Sequence, residues 1–243
     1  MTGAELHGRP GPVGSGVDGV VGAAGHGLTG VTDSGAFLAR LVRFDPAALV
    51  RLRSSGTSGR TTLWGRLPWS VLVSRTVAGP GPGDATVAAA DLLAELDRAG
   101  TALPARRDAQ WRWPLPAVPG WMVETIPGAE LRRVADAAAG TLRAAAAHGV
   151  AGRAVGQRAV RDALLDHVAV VVTAESGERV EVTQRLVQGI VRMGFLGVAG
   201  GGPEAVQVRL TNRWVGLVAP YGAVWSQKVA DLVVKPSSDH PNG

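Results

Sequence analysis

Apolar residues recur along this chain at two spacings, and each predicts its own kind of element. Phe37, Leu38, Leu41 and Val42 fall at helical intervals from Ala36 onward. Asp45-Pro46 then reads as an N-cap and first-turn proline that restart the helix. Leu49 and Leu52 continue its apolar stripe, with Arg40, Arg43 and Arg51 on the other side. Alternation takes over at 61–66 and 69–77, two strands around Leu67-Pro68 in which Trp69, Val71, Val73 and Val77 interleave with Ser70, Ser74 and Thr76. Residues 79–83 form a turn, and 86–96 a helix burying Val87, Leu92 and Leu96.

The second half repeats the alternation of periods. Leu131, Val134, Ala135, Ala138 and Leu142 predict a helix opened by Pro127, and a further helix covers 154–166. Residues 168–173 and 179–182 form a hairpin around Glu175-Ser176-Gly177-Glu178. Thr183 caps a helix that buries Leu186, Val187, Ile190 and Val191, and Gly194 suits the left-handed position after it, with Phe195 packing back. Strands at 206–210 and 214–218 flank Thr211-Asn212-Arg213, and a short strand at 232–234 precedes a polar end. No internal repeat is visible.

The expected fold is therefore α+β, helices packed on small antiparallel sheets. The expected organisation is a flexible Gly-rich tail (1–35), an Arg-rich α+β domain (36–113), a Pro-rich crossover (114–127), a second α+β domain (128–236) and a tail (237–243). A single domain over 36–236 is the alternative. Trp111, Trp113 and Trp121 favour an ordered crossover, since indoles are costly to leave in water.

Composition narrows the chemistry. The chain has 243 residues, 46% of them hydrophobic and none of them cysteine. Disulfides, thiolate metal sites and cysteine nucleophiles are excluded. No apolar run approaches a membrane span and no secretory leader is visible, so a cytoplasmic protein without membrane contact is expected. His7, His26 and His240 fall in the expected tails, and no metal-ligand spacing joins His148 and His167, so no metal or cofactor is expected. Two Gly-x-Gly-x-x-Gly matches, 14–19 and 25–30, follow no strand and read as chance in a Gly-rich tract. Arg161, Asp162, Asp166 and His167 cluster in sequence, but neighbours on a helix diverge by about 100°. His167 reads as a core or boundary residue, and no catalytic residue is expected.

Charge points to a partner. Twenty-five basic residues against twenty acidic ones give +5. The excess concentrates between Arg40 and Arg75, where seven Arg face only Asp45. Guanidinium forks suit phosphate, and Trp64 and Trp69 stand among them as stacking surfaces. A second element adds to this: Gln184, Arg185, Gln188 and Arg192 fall opposite the apolar stripe of their helix, the residue types that pair with base edges. That helix, with a following hairpin tipped by Asn212 and Arg213, resembles the end of a winged helix-turn-helix domain over 183–219, although a hairpin stands where the supporting helix belongs. The expected nucleic-acid-binding residues are Arg40, Arg43, Arg51, Arg60, Arg66, Gln184, Arg185, Gln188, Arg192 and Arg213. The leading expectation is a non-enzymatic protein that binds a polyanion, nucleic acid foremost, with a regulatory role. A protein-interaction scaffold is the alternative, and an enzyme acting on an anionic metabolite comes third.

Overall fold

The computed structural model describes residues 25–55, 58–148, 157–200 and 205–228. Its elements in order are α1 (Val31–Phe44), β1 (Leu49–Ser54), β2 (Arg60–Arg66), β3 (Leu72–Ala78), β4 (Asp84–Ala88) and α2 (Ala89–Asp97), then β5 (Trp121–Pro127), α3 (Gly128–His148) and α4 (Gln157–Asp166). The hairpin β6 (Val168–Thr173) and β7 (Arg179–Thr183), α5 (Gln184–Arg192), β8 (Ala205–Thr211), β9 (Trp214–Ala219) and β10 (Gly222–Gln227) complete the chain.

The mixed α+β class is present, but the sheet is one large one. Eight antiparallel strands run in the order β4-β1-β2-β3-β10-β9-β8-β5, and β6-β7 stand apart as a two-stranded sheet. The order is symmetrical about the β3–β10 seam, where Leu72 faces Trp225, Val73 faces Val224 and Ser74 faces Ala223. On each side a helix (α1, α5) leads into a three-stranded meander, and an outer strand (β4, β5) leads into a second helix (α2, α3). The helix α4 and the β6-β7 hairpin stand in the second half alone, between α3 and α5.

Alternation along the strands divides the core in two. Val50, Leu52, Leu63, Val71, Val73, Leu217 and Val224 point to the helices, where they pack with Phe37, Leu38 and Leu41 of α1 and Leu186, Val187 and Ile190 of α5. Trp64, Leu72, Trp214, Ala223 and Trp225 point to the other face, where Trp111, Trp113 and Leu115 of the Pro-rich crossover cover them. Residues 111–115 thus lie over the sheet, whereas 121–127, expected within the crossover, form the edge strand β5 with Trp121 exposed.

Several local expectations are corrected. Ordered structure begins ahead of residue 36: Gly25 bridges Ala102, and the His26 ring bonds Gly100 O at 2.9 Å and accepts the Leu28 N–H at 3.0 Å. The Gly25–Gly30 match is part of this built segment, while 14–19 lies outside the described residues. Asp45-Pro46 opens a turn, not a helix, because the Asp45 carboxylate accepts Ala47 N–H at 2.9 Å and the chain then enters β1. Trp69 lies in the β2–β3 turn, and Val87 sits in β4 ahead of the helix. Thr183 holds the N-cap position of α5, but its hydroxyl is buried without a hydrogen-bond partner. His167 is exposed, since α4 ends one residue before it. The 232–234 strand lies outside the described residues, and β5 and β10 are additions.

Candidate nucleic-acid interface

Two close approaches seat the helix layer. Leu41 of α1 lies over Gly65 of β2, where an added Cβ would meet the Leu41 methyl carbons at 2.6 and 3.0 Å. Gly189 of α5 lies over Val224 in the same way, with an added Cβ 2.6 Å from it. A Schellman motif ends α5: Phe195 N–H donates to Ile190 O at 3.1 Å and Gly194 N–H to Val191 O at 3.0 Å, with Gly194 at φ 68°. Phe195 then packs parallel to Phe37 of α1 at 6.4 Å between ring centres. These contacts fix the two helices side by side and decide which side chains share their outer surface.

That surface carries a chain of guanidinium and aromatic groups. Arg40 lies against Gly194, at the end of α5. Arg43 sits 5.5 Å from the Phe44 ring centre, Phe44 meets Trp69 edge to face at 5.4 Å, and Arg192 sits 5.7 Å from the Trp69 ring centre. Trp69 is pinned by its Nε1–H to Arg185 O at 3.1 Å, and Arg185 Nη1 donates back to Trp69 O at 2.7 Å. Among the described residues, the ion pairs spare Arg40, Arg43 and Arg192; Arg43 and Arg192 are exposed, and Arg40 is half-buried and donates to Ala36 O at 3.3 Å. Beside them α4 and α5 enclose a cleft of about 510 Å³ lined by Arg158, Arg161, Asp162, Leu165, Arg185 and Arg192, with Trp69 and Phe44 at its floor.

The other expected site residues fall elsewhere. Gln184 and Gln188 are buried inside the molecule, the first with an unpartnered amide nitrogen and the second donating to Ala135 O at 3.3 Å while accepting from Arg192 at 2.9 Å. The polar side of α5 is covered by α3 and α4, and β8-β9 belong to the large sheet instead of standing free as a wing. Arg185 is half spent, bound to Asp166 at 2.6 Å. Arg51 belongs to a strand and points to the crossover side, where it grips Asp84 with two 2.7 Å hydrogen bonds. That bond raises the Arg51 pKa and lowers that of Asp84. Arg66 stacks on Trp113 at 4.0 Å, and burial lowers its pKa. Arg60 donates to Thr76 O at 3.3 Å, and Arg213 lies exposed in the β8–β9 turn. Of the ten expected residues, the fold brings together Arg40, Arg43, Arg185 and Arg192 on the helix side, with Gln188 behind Arg192.

Arg158 and Arg161 were not among the expected residues. Their three-residue spacing on an amphipathic helix is a signal that sequence carries, but nothing in it joins α4 to α5. Among the described residues no group of three His, Asp or Glu is placed to hold a metal ion, and no helix is long and apolar enough to cross a membrane.

Comparison with known proteins divides the chain at the crossover. Residues 28–113 match the family model Domain of unknown function (DUF8010), and residues 116–231 match Domain of unknown function (DUF8185). The boundary between them coincides with the two sides of the sheet's symmetry. No curated protein sequence matches the chain. Among solved structures, the DNA polymerase III subunit beta from Pseudomonas aeruginosa shares 14% identity at a TM-score of 0.49, covering 88% of this chain and 67% of that one. The beta subunit from Thermotoga maritima shares 10% identity at 0.46, covering 84% and 63%, and that from Streptococcus pyogenes shares 11% at 0.47, covering 82% and 62%. Likenesses at this level assign no chemistry to this chain.

Proposed function

We propose that the helix side of the sheet is a non-enzymatic binding surface for a polyanion, nucleic acid foremost, in a protein that works in the cytoplasm. The observation that carries this is a set of guanidiniums without a carboxylate partner, Arg43 and Arg192 beside the Phe44–Trp69 pair and Arg40 next to them against Gly194. Guanidinium binds phosphate through counterion release, so the affinity falls with salt, and log K drops by about 0.9 per log unit of salt for each phosphate neutralised. Duplex DNA titrated from low to physiological salt tests the proposal. Binding that weakens steeply with salt and is abolished by combining Arg40→Glu, Arg43→Glu and Arg192→Glu supports it. Undetectable binding at low salt, or binding indifferent to the three reversals, refutes it.

A protein-interaction reading is favoured by a different place. Val118, Trp121 and Met122 stand exposed where β5 forms one edge of the sheet, and an open strand edge with large apolar side chains invites pairing. Light scattering checks its self-association form. A mass that rises with concentration and is brought down by Trp121→Glu supports it, and a monomer at every concentration counts against it.

A further inference from the structure

We infer that the cleft between α4 and α5 holds a single nucleotide unit, its phosphate among Arg158, Arg161 and Arg192 and its ring against the Trp69–Leu165 floor. The inference deepens the polyanion reading and shares Arg192 with it, but it stands mainly on residues of α4. The cleft's volume, about 510 Å³, lies within the range of small-ligand sites.

Its charges are unbalanced in a particular way. Arg158 and Arg161 share one carboxylate, Asp162, at 3.9 and 3.5 Å, and both contacts are long, single-nitrogen and exposed to water. Such pairs contribute little, so an incoming phosphate displaces almost nothing. Arg192 has no carboxylate and is aimed by Gln188, whose amide is itself fixed on Ala135 O. Arg185 differs: held by Asp166 and Trp69 O, it builds the wall. Three available guanidiniums against one loosely held carboxylate leave the charge for one phosphate.

The floor supplies the second half of the recognition. Trp69, Phe44, Pro68 and Leu165 make an apolar surface, and the hydrogen bond from Trp69 Nε1–H to Arg185 O orients the indole. A planar heteroaromatic ring carrying a phosphate matches both parts; inorganic phosphate matches only one. The unit has two sources, a free 5′-mononucleotide or an unpaired nucleotide within a strand.

Fluorescence titration of the full chain with AMP, with a ten-residue single-stranded oligodeoxyadenylate and with a duplex of equal phosphate count tests this. Saturable binding of AMP, or a single strand bound at least about tenfold more tightly than duplex, is expected. The combination Arg158→Ala and Arg161→Ala lowers that binding by about tenfold or more, as loss of charge-assisted hydrogen bonds requires. Arg133→Ala, on the exposed side of α3, leaves it unchanged. Binding of AMP identifies the free nucleotide as the source, and strand preference without AMP binding identifies the strand. If AMP does not bind and strand and duplex bind alike, the inference is overturned while the polyanion reading stands. If AMP binds and no nucleic acid does, the cleft assignment stands and the polyanion reading falls.

Discussion

Arginines on the two faces of the sheet are partnered differently. On the crossover face, guanidiniums are structural. Arg51 and Arg53 converge on Asp84, Arg66 stacks on Trp113, Arg106 binds Asp108 and the Asp84 carbonyl, and Arg209 reaches the carbonyls of Pro119 and Gly120. Asp108 in turn accepts the Thr86 N–H at 2.7 Å. These contacts lay the chain between the two halves onto the sheet and neutralise its charge. On the helix face Arg185 is held by Asp166, but Arg40, Arg43 and Arg192 lie against backbone or aromatic rings without meeting a carboxylate. What separates a binding surface from a clamp is the presence of carboxylates and of a covering strand, not the density of arginine in sequence.

Perturbing one face at a time sharpens this contrast. The largest effect is expected beneath the helices. Leu41→Ala empties space over Gly65 and should cost about 2–5 kcal/mol in denaturant unfolding, and Leu115→Ala on the half-buried crossover only a fraction of that. A similar loss from both would mean the crossover is as integral as α1. Gly189→Ala should cost about 1–3 kcal/mol, because its Cβ meets Val224 and α5 must lift. Unchanged melting there would show that α5 does not lie as close as described. Arg66→Ala should cost about 1 kcal/mol, the loss of its stack on Trp113, with no effect on binding.

The smallest effect is a pH dependence confined to the crossover face. The hydrogen bond from Arg51 holds Asp84 below its ordinary carboxylate value, so Asp84 stabilises the fold above the unfolded value of about 3.9. That contribution fades as pH falls through the lower folded value. Asp108 behaves alike, chiefly through Arg106 and then Thr86 N–H. Asp84→Asn should therefore flatten the acid limb of a stability–pH curve and leave neutral-pH DNA binding as it was. An unaltered acid limb would show that the Arg51–Asp84 bond does not contribute to stability.

How far the sequence disclosed all this varies with the element. The α5 helix and its Schellman end were legible because an apolar stripe, Gly194 and Phe195 agree on one geometry. The β1 strand was masked by Asp45-Pro46, which satisfies turn and helix start equally, and by Leu49 and Leu52, whose spacing fits a helix. The β10 strand lacks alternation because Ala223, Val224 and Trp225 are buried on successive faces of a central strand. The candidate site was half legible. Arg40, Arg43 and Arg192 were visible as cations, but strand parity sent Arg51 and Arg66 to the opposite face, and packing of α3 and α4 buried Gln184 and Gln188. Neither effect is written in local spacing.

The most direct test sets two triple reversals of equal charge against each other. The first is Arg40→Glu, Arg43→Glu and Arg192→Glu on the helix face; the second is Arg53→Glu, Arg60→Glu and Arg213→Glu, three exposed positions away from it. Duplex affinity is measured for each across a salt series. The first should abolish binding, and the second should leave both affinity and salt slope close to those of the parent chain. Equal losses from both would show that net charge, not the helix face, governs binding, and would contradict the assignment of binding to that face.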